Sequence, residues 1–128
     1  MTWRFLDVNA VIALHAALIE ETGGSHGLRD VGLLESAIAR AENKVHYDPN
    51  ATVAHVAASL AWGLIKNHAF IDGNKRIGLA ALIVFLDANG HRLACSVEEE
   101  TAMVLRAAAS EITEEEWTAW VARSVASL

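Results

Sequence analysis

Apolar residues recur along this chain at spacings of three and four, in blocks separated by glycine, proline or small polar residues. The first block, Val8, Val11, Ile12, His15 and Ile19, follows Asp7, a residue suited to capping, and stops at Gly23-Gly24. A second follows Asp30 with Leu34, Ala37, Ile38, Ala41 and Val45 in the same rhythm, until Asp48-Pro49-Asn50 breaks the chain. Thr52 opens a third (Val53, Val56, Ala57, Leu60, Ala61, Leu64) that ends near Asn67, and a fourth runs from near Asn74 to Asn89-Gly90. These two are apolar almost all round, the pattern of helices in the middle of a bundle with more one-sided helices packed around them. Ser96 with Glu99, and Thr113 with Glu116, have the spacing of capping boxes and predict a fifth and a sixth helix; His91 to Cys95 reads as a short extended piece. The expected fold is all-α, a compact six-helix bundle with a buried central helix pair, in a single domain spanning residues 1–128.

Composition narrows the setting. Hydrophobic residues make up 53% of the 128 and proline occurs once, so disorder is excluded and one ordinary core is affordable. The single Cys95 cannot close an internal disulfide, and Met1 to Asp7 lacks the basic start and apolar stretch of a signal peptide, which points to a cytoplasmic protein. The longest strongly apolar run, Ile77 to Leu86, is too short to cross a bilayer, so no membrane association is expected. A net charge of −6 repels polyanions, yet three of the ten cations, Lys66, Lys75 and Arg76, fall within eleven residues. That clustering suits one phosphate group and is too sparse to coat a duplex, so direct nucleic-acid binding is not expected. The remaining histidines, His15, His26, His46, His55 and His91, lack the spacing of a zinc site.

The candidate chemistry lies between the two central helices, in His68-Ala69-Phe70-Ile71-Asp72-Gly73-Asn74-Lys75-Arg76. Free backbone N–H groups and the positive end of the dipole at a helix start favour an anion. Cations in that first turn oppose the dipole by a few tenths to about 1 kcal/mol each, so helix stability alone does not select Lys75 and Arg76; a bound phosphate reverses the sign. Asp72, the only carboxylate of the loop, is a candidate Mg²⁺ ligand, because Mg²⁺ needs one or two protein carboxylates beside phosphate oxygens and water. His68 carries the side chain type whose ordinary pKa suits it to take a proton from a hydroxyl near neutral pH. Gly73 gives the backbone freedom for close approach of a ligand, and Phe70 and Ile71 are read as anchors that plug into the core. Taken singly, each has a structural explanation: Asp72 as an N-cap, Lys75 and Arg76 as a solvated pair, Lys66 as a cation complementing a helix C-terminus instead of holding a nucleotide. The joint pattern argues for a site.

The segment His68-x-Phe70-x-Asp72-x-Asn74-Lys75-Arg76 resembles the signature of the Doc (death-on-curing) toxins in the Fic/Doc family. Upstream, Gly23-Gly24, Gly27-Leu28-Arg29-Asp30 and the stretch from Gly32 to Arg40 are similar to the corresponding segment of these toxins, so the likeness runs along nearly the whole chain. The resemblance implies an all-α Fic fold and the toxin of a type II toxin–antitoxin pair. Such a toxin is a kinase that uses ATP and Mg²⁺ to phosphorylate a Ser or Thr hydroxyl of a translation elongation factor, blocking translation. It implies His68 as the base, Asp72 as the Mg²⁺ carboxylate, and Asn74, Lys75 and Arg76 as phosphate holders, with Gly73 completing the cradle. The AMP-transferring branch of the family reads His-Pro-Phe-x-x-Gly-Asn-Gly-Arg-x-x-Arg; here Ala69, Lys75 and Leu79 depart from it, while Gly73 leans toward it. Two alternatives therefore stand beside the kinase: a protein AMP-transferase, and a catalytically degenerate module that docks an antitoxin. The self-inhibitory Ser/Thr-x-x-x-Glu-Gly/Asn helix has no good match, since Ser36 is followed by Arg40 and Ser110-x-x-x-Glu114 by Glu115. Restraint would then come from a separate antitoxin chain.

Overall fold

A computed structural model describes residues 2–128. Its helices are α1 (Val8–Thr22), α2 (Val31–Tyr47), α3 (Val53–Asn67), α4 (Asn74–Ala88), α5 (Val97–Ala108) and α6 (Glu114–Ser124), with strands β1 (His91–Leu93) and β2 (Val125–Ser127). Five of the six helices begin at a side-chain cap: Asp7, Asp30, Thr52, Ser96 and Thr113 each accept a hydrogen bond from the backbone N–H three residues on. Each such cap contributes about 1 kcal/mol. The exception is α4, whose N-cap Gly73 offers no side-chain bond.

The boxes differ from their sequence pattern. Thr113 and Glu116 close the reciprocal pair, but Ser96 forms only half of one, because the Glu99 carboxylate instead accepts from Trp120 Nε1 at 2.9 Å. Thr52 closes a box with His55, a partner outside the usual Glu or Gln. β1 lies inside the expected extended piece and pairs antiparallel with β2, His91 opposite Ser127 and Leu93 opposite Val125. No periodicity marks so short a partner strand at the end of α6.

α3 forms the axis of the core. It is buried along its length from Val53 to Ile65, between α2 on one side and α4 and α6 on the others. α4 is less enclosed than its composition suggests: Ile77, Ala81, Leu82, Phe85 and Leu86 are buried, whereas Ile83 and Val84 remain 40% and 38% exposed. Trp117 and Trp120 are core residues, and Trp117 Nε1 donates to the Ala58 carbonyl at 3.1 Å. No helix among the described residues is long and apolar enough to cross a membrane.

Small residues set how closely the helices approach. A Cβ on Gly63 would sit 3.1 Å from Ala37 Cα, and one on Gly78 would sit 2.4 Å from Ile65 Cγ1, so α3 is flanked by α2 and α4 without room for a further carbon. Gly78→Val is therefore expected to lower stability by about 1 to 3 kcal/mol through overpacking. A reduced urea midpoint with an unchanged slope will show it.

Candidate active site

The central pair is joined by a loop whose polar groups have separate tasks. α3 ends at His68, which adopts a left-handed conformation (φ 52°, ψ 49°). Its backbone is restrained: the Arg29 guanidinium donates to the His68 carbonyl (Nε, 2.8 Å) and the Asn67 carbonyl (3.4 Å). The Asn67 amide in turn donates to the Leu33 carbonyl. The His68 imidazole is exposed and has no hydrogen-bond partner among the described residues, so both ring nitrogens are available.

Residues 69–71 pair with the segment preceding α2. Arg29 and Asp30 N–H donate to the Ala69 carbonyl, Ile71 N–H donates to the Gly27 carbonyl, and Leu28 forms a β-bridge with Phe70. Ala69 and Phe70 are buried, as an anchor should be. Ile71 is not: it is 60% exposed, because pairing alternates side chains across the bridge and sends Ile71 outward once Phe70 faces the core. It does not plug into the core as expected.

Asp72 sits where two segments meet. Its carboxylate accepts from its neighbour Gly73 N–H (2.8 Å) and from Ser25 N–H (3.1 Å), and Arg76 Nη2 approaches to 3.6 Å. The Ser25 and Gly73 amides, with Arg76 adding to them, hold its pKa below the ordinary carboxylate value. That stabilisation is present above the unfolded-state pKa and is lost as pH falls through the lower folded one. Asp72 is thus not the cap of α4; the cap position belongs to Gly73, left-handed at φ 77° and ψ 20°. The first intrahelical bond is Ile77 N–H to the Gly73 carbonyl, which leaves the N–H groups of Asn74, Lys75 and Arg76 without a helical acceptor.

Asn74 is occupied in a different way from that expected of a phosphate holder. Its buried amide makes two bonds to one residue, accepting from Phe70 N–H (3.1 Å) and donating to the Phe70 carbonyl (2.9 Å). What this position can offer an anion is its backbone N–H. Arg76 reaches the end of α1, donating from Nη1 to Thr22 Oγ1 and the Gly23 carbonyl, while Lys75 is exposed and unpaired among the described residues.

These groups line a cavity of about 610 Å³: His68, Asp72, Gly73, Asn74, Lys75 and Arg76 surround it with Ile71, and Leu105 and Ala108 of α5 with Ala109, the residue that caps its C-terminus, form an apolar wall. Lys66 is not brought there. Its Nζ donates to the Ala107 carbonyl (3.0 Å) and Ser110 Oγ (2.6 Å) and lies 5.4 Å from the centroid of the Trp62 ring, so it serves the C-terminal end of α5. Among the described residues no group of three or more His, Cys, Asp or Glu could hold a metal by itself.

Three contributors come from outside the loop, and two of them, Gly24 and Arg29, fall in the upstream segments that carry the family resemblance. Gly24 (φ 114°) lies against the site so closely that a Cβ would fall 2.5 Å from Asp72 Oδ2 and 2.9 Å from Arg76 Nη2. Arg29 fixes the His68 backbone, and His15, which has the spacing of an apolar position of α1, is buried beneath the loop with Nε2 2.7 Å from the Asp72 carbonyl oxygen. A buried histidine on an apolar face was the one local sign of a polar task.

Comparison with known proteins places the chain in a family. The chain is 41% identical over 81 residues to "Toxin Doc" of Mycolicibacterium smegmatis, a match spanning 62% of this chain and 62% of that relative's length. It is 34% identical over 87 residues to "Protein kinase doc" of Escherichia phage P1, spanning 68% of this chain and 69% of the relative. The model of the Fic/DOC family matches residues 5–86, which takes in α1 to α3, the loop and nearly all of α4; α5 and α6 lie beyond it, so the likeness is narrower than the sequence pattern suggests. With its signature loop, the segment paired to it and the helices that carry both inside the matched span, the chain belongs to the Fic/DOC family.

Proposed function

We propose that this chain is the toxin of a toxin–antitoxin pair and acts as a protein kinase, moving the terminal phosphoryl group of ATP to a Ser or Thr hydroxyl of a translation elongation factor in the cytoplasm. The observation that carries this reading is the meeting, at one cavity, of an imidazole without a partner and a helix start without a side-chain cap, the only such start among the described residues. The names of the relatives, a toxin and a protein kinase, support it.

In this reading His68 removes the proton of the incoming hydroxyl as its oxygen bonds to the γ-phosphorus and the bond to the β-phosphate oxygen breaks, releasing ADP. The N–H groups of Asn74, Lys75 and Arg76, with the Lys75 ammonium, hold the phosphates and take up the charge that develops. Arg76 already bridges Asp72 and the end of α1, so it fixes the frame as well as offering charge. The donor set suits Mg²⁺: Asp72 is a lone carboxylate on the cavity wall, kept ionised by its amide partners, and would share the ion with phosphate oxygens, where it would neutralise their charge. The apolar wall from α5 fits the base or ribose face of a nucleotide. An antitoxin chain supplies the restraint that the helices of this chain do not.

A translation extract tests the function. Added with Mg·ATP, the purified chain should stop protein synthesis, and fresh elongation factor together with removal of the chain should restore it. Synthesis that continues unchanged, or that stays blocked after fresh factor is supplied, contradicts the reading.

A further inference from the structure

His15 is a buried polar side chain, 3% exposed, that the transfer chemistry above does not use. Its ring stacks on Phe70, centroids 3.8 Å apart and planes within 12°, and its Nε2 lies 2.7 Å from the Asp72 carbonyl oxygen. A carbonyl only accepts, so Nε2 carries the proton. A trans peptide points its C=O and its N–H in opposite directions. With the Asp72 carbonyl drawn down onto α1, the Gly73 N–H is turned away from α1, and it is this N–H that donates to Asp72 Oδ1 at 2.8 Å.

The same peptide starts α4. Gly73 is left-handed, and a Cβ there would lie 3.2 Å from Ile19 Cδ1 and 3.4 Å from His15 Nε2, so α1 is the surface against which the turn is formed. The loop is pinned elsewhere by Arg29 on the His68 carbonyl and by the Asn74 amide on Phe70. The His15 bond is the one from another element that acts on the peptide group between Asp72 and Gly73, whose own N–H closes onto the Asp72 carboxylate, among the described residues.

We propose that His15 is a positioning residue: by donating Nε2–H to the Asp72 carbonyl it sets the plane of the Asp72–Gly73 peptide, and through it both the aim of the Asp72 carboxylate and the direction of the free N–H groups of α4. The purpose given to this bond rests on the transfer reading above; the bond's effect on the loop does not.

Two variants separate donation from packing. His15→Phe keeps a ring on Phe70 and removes the donor, whereas His15→Gln gives up the ring and keeps an N–H near the position of Nε2. Three readouts apply: the Gly73 amide in a nitrogen–proton correlation spectrum, binding of inorganic pyrophosphate by calorimetry, and kcat and KM for transfer from ATP. In His15→Phe the Gly73 amide proton should move upfield, pyrophosphate should bind about tenfold more weakly, and kcat should fall by about 10- to 100-fold, the usual scale for removing such a supporting bond. His15→Gln should restore the Gly73 shift and most of kcat. An unmoved Gly73 amide with unchanged pyrophosphate affinity in His15→Phe overturns the proposal, as does a His15→Gln variant as impaired as His15→Phe. If His15→Phe does not fold, the unaltered chain decides: long-range correlations of the His15 ring should place the proton on Nε2 with a coupling across to the Asp72 carbonyl carbon, and a proton on Nδ1 overturns it. A chain that binds pyrophosphate and shows the Gly73 response yet transfers nothing would sink the kinase reading and leave the role of His15 standing.

Discussion

Phosphoryl transfer by the His68→Ala variant is expected to fall by about 10² to 10⁴ relative to the unaltered chain, the range typical for loss of a general base. Stability should change little. The imidazole is exposed and makes no hydrogen bond among the described residues, so its removal leaves no buried partner unsatisfied. The backbone at this position is held from outside, by Arg29 on the His68 carbonyl, and does not depend on the side chain. His68→Asn, a residue that tolerates the left-handed region well, should match His68→Ala in activity and so show that the loss is chemical and not conformational. In cells, expression of the unaltered chain without its antitoxin should arrest growth, and either variant should relieve the arrest. A folded His68→Ala protein with full transfer activity would remove the base from the account.

Gly24→Val is expected to have the second largest effect, although Gly24 lies 48 positions upstream of Asp72 and outside the signature loop. A Cβ there would overlap Asp72 Oδ2 at 2.5 Å and crowd Arg76 Nη2 at 2.9 Å, and φ of 114° is a region that a β-branched residue occupies only under strain. The segment must withdraw, taking the Ser25 N–H away from the carboxylate. A displacement of about 1 Å in a catalytic group costs on the order of 100-fold in rate, so transfer should drop by that amount while the helical content seen by circular dichroism stays unchanged. Transfer within a few-fold of normal would mean that the segment before α2 does not set the position of Asp72.

The helices were legible because their evidence is local. Apolar spacing and a Ser, Thr or Asp three residues before a free N–H locate α1, α2, α3, α5 and α6 without any knowledge of what they touch. The loop was legible for the opposite reason: Lys75 and Arg76 are poor choices for the start of a helix, and a polar set between two apolar helices needs an explanation beyond the helices themselves.

What escaped depends on partners distant in sequence. Glu99 leaves its box for Trp120, 21 residues away, and Lys66 spends its ammonium on the end of α5, 41 residues away. Ile71 faces outward because a strand-like pairing with the segment near Leu28 fixes the alternation, and Asn74 turns back onto Phe70. His15 satisfies the spacing of an apolar position, and only its neighbour in space reveals that the ring serves as a donor. The pattern of the site was written locally, and its support was not.

The identity of the transferred group is the most direct test of the account. Lys75 stands where AMP-transferring relatives are expected to carry glycine, and it places a long cationic side chain in the volume through which backbone could close on an inner phosphate. In the proposed reading, the terminal phosphate is then the one presented to His68. Mass spectrometry of elongation factor incubated with the purified chain and Mg·ATP should find a Ser or Thr residue carrying phosphate and no nucleotide; a target carrying AMP contradicts the account.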